Sequence, residues 1–383
     1  MNILRVHPFL RSELFYPHAG GMARTSVRLT EELARTGDHL VVYPFPDAIG
    51  TSTLWDLGGG LSVGVQPTVM WPGWRRLGAW WRKARELRPA PDGVRGRLLD
   101  AMTMAALDHV VQEFKPQVIH NHLARRDFPR VYEAVGLRIP LILTHHHYEA
   151  GESLESYDRI VFVSHAQLTR LRKSVPLRDE SVRVIYNPVA EEFRTGPIPA
   201  GPERDGVIFS GALIRRKGID LVLQAFAMNP RLRTQNLLLC GEGPLDPDLA
   251  TLVQKGDLKV QLLGRLRKQE LAARLAHAKV MVLPSREEGW SGAINEAVCS
   301  GTPVVGYATQ ILELRALLNT EVGIPFDAVR QSPAELADSL MRALDAPLED
   351  ESARRRMAGA AREELSGDKY AQGYQEIYHE FLP

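Results

Sequence analysis

Ser285-Arg286-Glu287-Glu288-Gly289-Trp290-Ser291-Gly292-Ala293-Ile294-Asn295-Glu296-Ala297 follows the apolar run Val280–Leu283 and leads into residues 293–299. A four-residue Val/Met/Leu run bounded by Pro284 reads as a buried strand, and 293–299 reads as a short helix. Glu288 and Glu296 therefore stand eight positions apart across a strand-to-helix turn. Glu288 falls in the loop at the carboxyl end of the strand, and Glu296 within the first turns of the helix. In an open parallel sheet that edge is where ligands bind. A helix start also presents free amides that favour phosphate. Two acceptor side chains beside an anion site suit a sugar and a ribose joined by a diphosphate. Acids near a helix start also complement its dipole, which would account for one glutamate but not for the loop one.

At 383 residues the chain exceeds what one core fills, which points to two domains. A hydrophobic fraction of 44% and a charged fraction of 24% are ordinary for a soluble globular protein. No apolar run is long enough to span a bilayer. The start, Met1-Asn2-Ile3-Leu4-Arg5-Val6, runs directly into a strand-like segment without a signal-peptide pattern. Cys240 and Cys299 are the only cysteines, and their apolar surroundings fit a reducing cytoplasm better than a disulfide framework. A net charge of +1 argues against a polyanion binder, so no nucleic-acid partner is expected.

The first half alternates strand and helix. Strands are expected at 3–6, 40–43, 117–120, 140–144, 159–164 and 182–186, with Gly20-Gly21 in a loop before an amphipathic helix at 23–34. Residues 191–205 are dense in Pro and Gly and are the best linker candidate. The alternation then restarts, with strands at 206–210, 236–240, 260–263, 280–283 and 303–306 and helices at 333–344, 352–365 and 369–381. Two such blocks predict an α/β protein with two doubly wound, Rossmann-like parallel sheets facing across a cleft. The domains expected are 1–190, joined by the 368–383 helix packing back on it, and 206–367.

In the second block, strand 206–210 is followed by Gly211 and then by Arg215-Arg216-Lys217-Gly218 before a helix. Lys is a point charge for phosphate, and Arg binds it bidentately. Three surface cations can equally be merely solvated. Gly241-Glu242-Gly243-Pro244 follows the next strand, permitting close approach to a ligand or simply making a turn.

Together these pieces resemble glycosyltransferase family 4, retaining enzymes of the GT-B fold. The matches are Gly211, Lys217-Gly218, Gly241-Glu242-Gly243-Pro244, the Glu288-Gly289 to Glu296-Ala297 loop, and Ser300-Gly301-Thr302-Pro303-Val304-Val305. The first half matches too, through Gly20-Gly21, Val118-Ile119-His120-Asn121-His122, Val163-Ser164 and Val184-Ile185-Tyr186-Asn187-Pro188-Val189. The resemblance implies that Glu288 holds donor-sugar hydroxyls and Glu296 the nucleotide ribose. Lys217 would sit on the diphosphate with Arg216 and Gly243 nearby. Backbone around Gly20-Gly21 and around Gly289, Trp290, Ser291 and Gly292 would flank the sugar phosphate. Leu263, Gly264, Arg265 and Leu266 would meet the base, and His122 the sugar.

Three departures stand out. Ala212 lies where many members carry a second phosphate-binding Arg, so Arg215 or Arg216 must substitute or the site has one cation fewer. Ser291 replaces the usual loop glycine. His145-His146-His147 is a richer histidine run than the family needs, and alternating faces keep the three from binding one metal. Asp246-Pro247-Asp248 reads as helix capping rather than a metal site. The resemblance therefore implies a metal-independent, retaining hexosyltransferase with no cofactor, its nucleotide-sugar (a UDP-sugar) being a substrate. A glycosidase-type carboxylate pair is not needed.

Residues 71–100 hold four of the six tryptophans and eight Arg/Lys against three acids. Trp74, Leu77, Trp80, Trp81, Ala84 and Leu87 share one helical face, with Arg75, Arg76, Arg82, Lys83 and Arg85 mainly opposite. Over 71–88 this pattern fits an anionic membrane surface, which would place the protein peripherally on the inner face of the membrane. A helix docked on its own domain, or an acceptor-binding lid, fits it as well. Acceptors in view are a glycan, a lipid-linked sugar or an aminocyclitol, in envelope, polysaccharide or natural-product glycosylation. Competing functions are a nucleotide-sugar epimerase or phosphorylase of the same fold, and a catalytically silent nucleotide-sugar-binding subunit.

Overall fold

The computed structural model describes residues 2–6, 29, 32–33, 40–42, 53–56, 62–65, 74–87, 97, 100–101, 104–105, 107–108, 111–112, 115–122, 128–146, 154–200, 203–243, 258–345 and 351–382. The chain forms two compact units. Unit 1 comprises Met1–Tyr186 and Tyr370–Pro383, and unit 2 comprises Asn187–Lys369.

Unit 1 carries β1 (Asn2–Val6), β2 (Leu40–Val42), β3 (Thr53–Asp56), β4 (Ser62–Val65), β5 (Val118–Asn121), β6 (Leu141–His145), β7 (Arg159–Phe162) and β8 (Val182–Val184). Six of these form a sheet in the order β2-β1-β5-β6-β7-β8, while β3 and β4 pair antiparallel. Every pairing in the six-stranded sheet is parallel. Unit 2 carries β9 (Val207–Ser210), β10 (Leu237–Cys240), β11 (Val260–Gly264), β12 (Val280–Leu283), β13 (Val304–Tyr307) and β14 (Gly323–Phe326). Their order is β11-β10-β9-β12-β13-β14, again all parallel. Strands buried on both faces need continuous apolar runs, and every residue of β9 and β12 is buried.

Strand order fixes where ligands can bind. In unit 2 the chain leaves β9 toward β10 and β11, then returns to the other side of β9 as β12. In unit 1 it leaves β1 toward β2 and returns as β5. Such reversals open a crevice beyond the carboxyl ends of the two central strands.

The last helix, Gly367–His379, starts in unit 2 and runs into unit 1. Its Tyr370, Tyr374, Ile377 and Tyr378 join Ile3, Leu29, Leu33, Val118, Ile142 and Val161 in one buried cluster. Residues 191–205 fall within unit 2. Glu191–Thr195 is a helix with Phe193 buried. The buried Arg204 guanidinium donates to the carbonyls of Pro199, Ala278 and Gly301. A buried arginine thus ties the backbone at Pro199 to the rest of unit 2.

In the helix Trp74–Glu86, Ala84 is buried, and Trp80, Trp81 and Leu87 pack against the core of unit 1. Arg82, Lys83 and Arg85 are exposed, and Lys83 Nζ lies 5.4 Å from the Trp80 ring centroid. This half of the apolar face is covered by the protein itself. Among the described residues no helix is long and apolar enough to cross a membrane.

Candidate active site

Beyond β9 the chain turns at Gly211 and reaches a short 3-10 turn, Arg215–Lys217. Gly218 then adopts φ +78° and caps the helix Ile219–Met228. A Cβ there would lie 2.1 Å from the Pro284 carbonyl oxygen, so only glycine lets this turn sit against the end of β12. That contact brings Lys217 to the loop that follows β12. Lys217 Nζ lies 2.5 Å from Glu288 Oε1, with the two side chains 16% and 7% exposed. Ser285 Oγ donates to the same oxygen at 2.6 Å.

A second ion pair fastens the loop. Arg286 donates through Nη1 and Nη2 to Asp220 Oδ1 and Oδ2, each at 2.8 Å, the bidentate geometry that suits guanidinium and carboxylate. Its backbone N–H donates to the Arg216 carbonyl at 2.9 Å. Arg216 Nη1 returns a bond to the Glu287 carbonyl at 3.1 Å, while Arg215 lies 3.7 Å from Asp220 and is otherwise exposed. The two cations offered as substitutes at the Ala212 position are thus turned toward this clasp, and Lys217 is the cation held on the Glu288 loop.

Ser291 is the N-cap of the helix Gly292–Cys299. Gln310, 2% exposed, accepts from the Ser291 N–H at 2.7 Å and donates to its carbonyl at 3.0 Å. The same amide donates to Asn295 Oδ1 at 2.9 Å. The side-chain amide acts as a stand-in strand for one residue of the loop. At the far end of this helix, Arg362 donates to the Cys299 carbonyl at 2.8 Å, and Arg354 to the Gly301 carbonyl at 3.2 Å. Cations there complement the helix dipole whose positive end faces the loop. Trp290 is buried, Gly289 and Glu296 are half-buried, and Gly292 is exposed.

The neighbouring turns stack on this edge. Gly211 N–H donates to the Cys240 carbonyl at 2.9 Å, and Gly241 N–H to the Gly264 carbonyl at 2.7 Å. A Cβ on Gly241 would fall 1.8 Å from the Gly211 oxygen, and one on Gly243 2.9 Å from the backbone of Leu213. Arg265 is exposed and Leu266 half-buried just past β11. Lys217, Glu288, Ser291 and the turns at Gly243 and Gly264 thus all belong to the carboxyl edge of one sheet.

In unit 1, Arg5 at the end of β1 meets His122 just beyond β5. Both are buried, with Arg5 Nη2 2.7 Å and Nε 3.2 Å from His122 Nε2. His120 is held on both ring nitrogens, Nδ1 by Tyr378 Oη at 2.6 Å and Nε2 by Thr144 Oγ1 at 2.7 Å. Of the histidine run, His145 is buried against Gln167 and His146 is half-buried, stacked 5.9 Å from His122. Gly20, Gly21, His147 and Pro244, and the whole of 246–248, lie outside the described residues.

Sequence reasoning missed Asp220, Ser285, Arg286, Gln310 and Arg5. Arg5 offered a signal, a charged residue inside the apolar run 3–6. Gln310 offered none, because it reaches Ser291 only through the fold.

Two α/β units, each built on a six-stranded parallel sheet with polar side chains at its strand reversal, have the architecture of the GT-B class. Residues 196–364 match the model of Glycosyl transferases group 1, and residues 19–193 that of Glycosyltransferase Family 4. The chain belongs to glycosyltransferase family 4. It is 26% identical over 298 residues to an uncharacterized glycosyltransferase of Methanocaldococcus jannaschii, covering 71% of this chain and 78% of that protein. It is 28% identical over 284 residues to a glycogen synthase of Mycobacterium tuberculosis, covering 67% of this chain and 66% of the relative. Among solved structures, sucrose-phosphate synthase from Thermosynechococcus elongatus superposes with a TM-score of 0.71 at 18% identity, covering 99% and 98% of the two chains.

Proposed function

We propose that the chain transfers a hexose from a nucleoside-diphosphate sugar, a UDP-sugar, to a hydroxyl acceptor with retention of anomeric configuration and without a metal or cofactor. The observation that carries this is the Lys217–Glu288 pair at the strand reversal of unit 2, beside the start of the helix Gly292–Cys299. The bond from the anomeric carbon to the diphosphate oxygen breaks, and its electron pair leaves with the diphosphate. Lys217 and the helix-start amides stabilise that growing charge. The acceptor oxygen bonds to the anomeric carbon on the face the diphosphate leaves, and its proton passes to the departing phosphate oxygen. Glu288 orients donor hydroxyls, Glu296 the ribose, and the turns at Gly243 and at Gly264, Arg265 and Leu266 the nucleotide. His122, in unit 1, is the histidine this reading assigns to the sugar.

The glycogen synthase match supports a carbohydrate hydroxyl as the acceptor class. The test incubates the protein with UDP-, GDP- and ADP-sugars, follows slow donor hydrolysis, and reads the anomer released by NMR. Retained configuration with a UDP-sugar, unchanged by EDTA, is the expected result. Tight nucleotide binding with no turnover would instead identify a silent binding subunit. The exposed Arg82, Lys83 and Arg85 support attachment to anionic membranes at the inner face. Flotation with anionic but not neutral liposomes is expected, and no lipid-dependent shift would remove that attachment.

A further inference from the structure

We propose that Arg5 is a positioning residue that fixes the protonation state of His122, keeping its ring neutral with Nε2 bare and the proton on Nδ1. The contact bridges β1 and β5, the two strands that flank the reversal point of unit 1. Both side chains are buried, at 0% and 1% exposure. Two guanidinium nitrogens converge on one ring nitrogen, at 2.7 and 3.2 Å. A guanidinium carries donors only and does not lose its proton in proteins. The nitrogen it meets must therefore present its lone pair. A proton there would set donor against donor and place a second cation against the first, out of reach of bulk water.

The surroundings separate the roles of the two neighbouring histidines. His120, with ring centroid 4.1 Å from that of His122, is bonded on both nitrogens to hydroxyls. Thr144 Oγ1 also lies 2.9 Å from Tyr374 Oη, so His120 is wired to the last helix. Among the described residues, the titratable and charged groups recorded against His122 are Arg5 from β1, His120 from its own strand and His146 just past β6. Tyr370 and Tyr374 of the last helix feel the Arg5 charge. Of these, Arg5 alone contacts Nε2 with an obligate donor.

The consequence for catalysis rests on the transferase reading above. A ring fixed as the Nδ1–H tautomer donates a hydrogen bond to a sugar oxygen at every working pH. An unrestrained histidine would change charge between about pH 5 and 8. Arg5 therefore removes a histidine limb from the pH profile and makes His122 a neutral donor rather than an acid.

The decisive measurement is a long-range proton–nitrogen correlation on protein labelled with nitrogen-15 histidine, without substrate. The His122 signals are assigned by their loss in His122→Gln. The expected pattern is a protonated Nδ1 and a bare Nε2, constant from about pH 8 to about pH 5. In Arg5→Met the ring should titrate, and donor hydrolysis should gain an acid limb falling about tenfold per pH unit. Arg5→Lys, which keeps a cationic donor, should restore the flat profile. A wild-type His122 protonated on Nε2, or an Arg5→Met spectrum and profile identical to wild type, overturns the proposal. If Arg5→Met does not fold, the wild-type spectrum decides alone. A bare Nε2 in a protein that turns over no donor upholds the role of Arg5 and overturns the transferase reading instead.

Discussion

Lys217 and Glu288 are bound to each other, Nζ to Oε1 at 2.5 Å, although they come from loops 71 positions apart in sequence. On the proposed function, an arriving diphosphate would share Lys217 with a carboxylate already in contact. Lys217→Met should lower kcat roughly 10²–10³-fold, equivalent to about 2.7–4 kcal/mol of transition-state stabilisation. Glu288→Ala should abolish transfer while leaving nucleotide binding largely intact, read by calorimetry with UDP. Unchanged turnover in Glu288→Ala would overturn its role on the donor.

The Arg286–Asp220 clasp should behave as a stability element. The Asp220 side chain is 5% exposed and that of Arg286 31%. Arg286→Ala leaves a buried carboxylate without its bidentate partner, so a loss of about 3 kcal/mol is expected, the low end for broken buried pairs. Denaturant unfolding measures it. A change within about 0.5 kcal/mol would mean that the pair is solvent-screened like a surface bridge.

Gln310→Ala should free the backbone of Ser291. The cost in stability is about 1–3 kcal/mol, that of one unsatisfied buried amide. Hydrogen exchange at residue 291 should quicken, and the donor KM should rise more than kcat falls. Protection that stays the same at residue 291 would show that the helix cap alone holds this loop.

Gly218→Ala places a methyl group 2.1 Å from the Pro284 oxygen at φ +78°. Strain at such a position costs about 1–3 kcal/mol even without the clash. The expected outcome is a lowered Tm together with weakened nucleotide binding, since the same turn carries Lys217. A variant with wild-type Tm and affinity would show that the turn relaxes freely.

Burial pushes the Cys299 thiol up to about 12 and the Cys240 thiol to about 11. In the unfolded chain both ionise near the ordinary value of 9.0. Their contribution to stability is thus fully present below about pH 9 and is lost as pH rises through the folded values. Ellman's reagent at pH 8 should leave the native protein unlabelled and label both thiols after unfolding. Denaturant midpoints should fall between pH 9 and pH 11.

Much of the fold was legible because each central strand is a continuous apolar run with Gly or Pro punctuation, as in 280–283. The turn from Glu288 to Glu296 was legible for the same reason, since it joins a recognisable apolar strand to a short helix. Strand β14 was not foreseen, because Gly-Ile-Pro-Phe carries a glycine and a proline that argue against a strand, and only the edge position tolerates them. The hairpin of β3 and β4 was hidden by a short, Gly-rich sequence. Partners such as Gln310 for Ser291 and Arg5 for His122 are set by tertiary contact, and one-dimensional spacing has no record of them.

The placement of Tyr370, Tyr374 and Tyr378 has a consequence for biosynthesis. A ribosome releases residues 2–186 first, yet the cluster around Ile3 and Val118 lacks its three tyrosines until residue 378 has emerged. Unit 2 is complete in sequence at Lys369, before unit 1. The half that is translated first is therefore the half that finishes folding last, and a nascent chain stalled near residue 369 would present an unsealed sheet to chaperones.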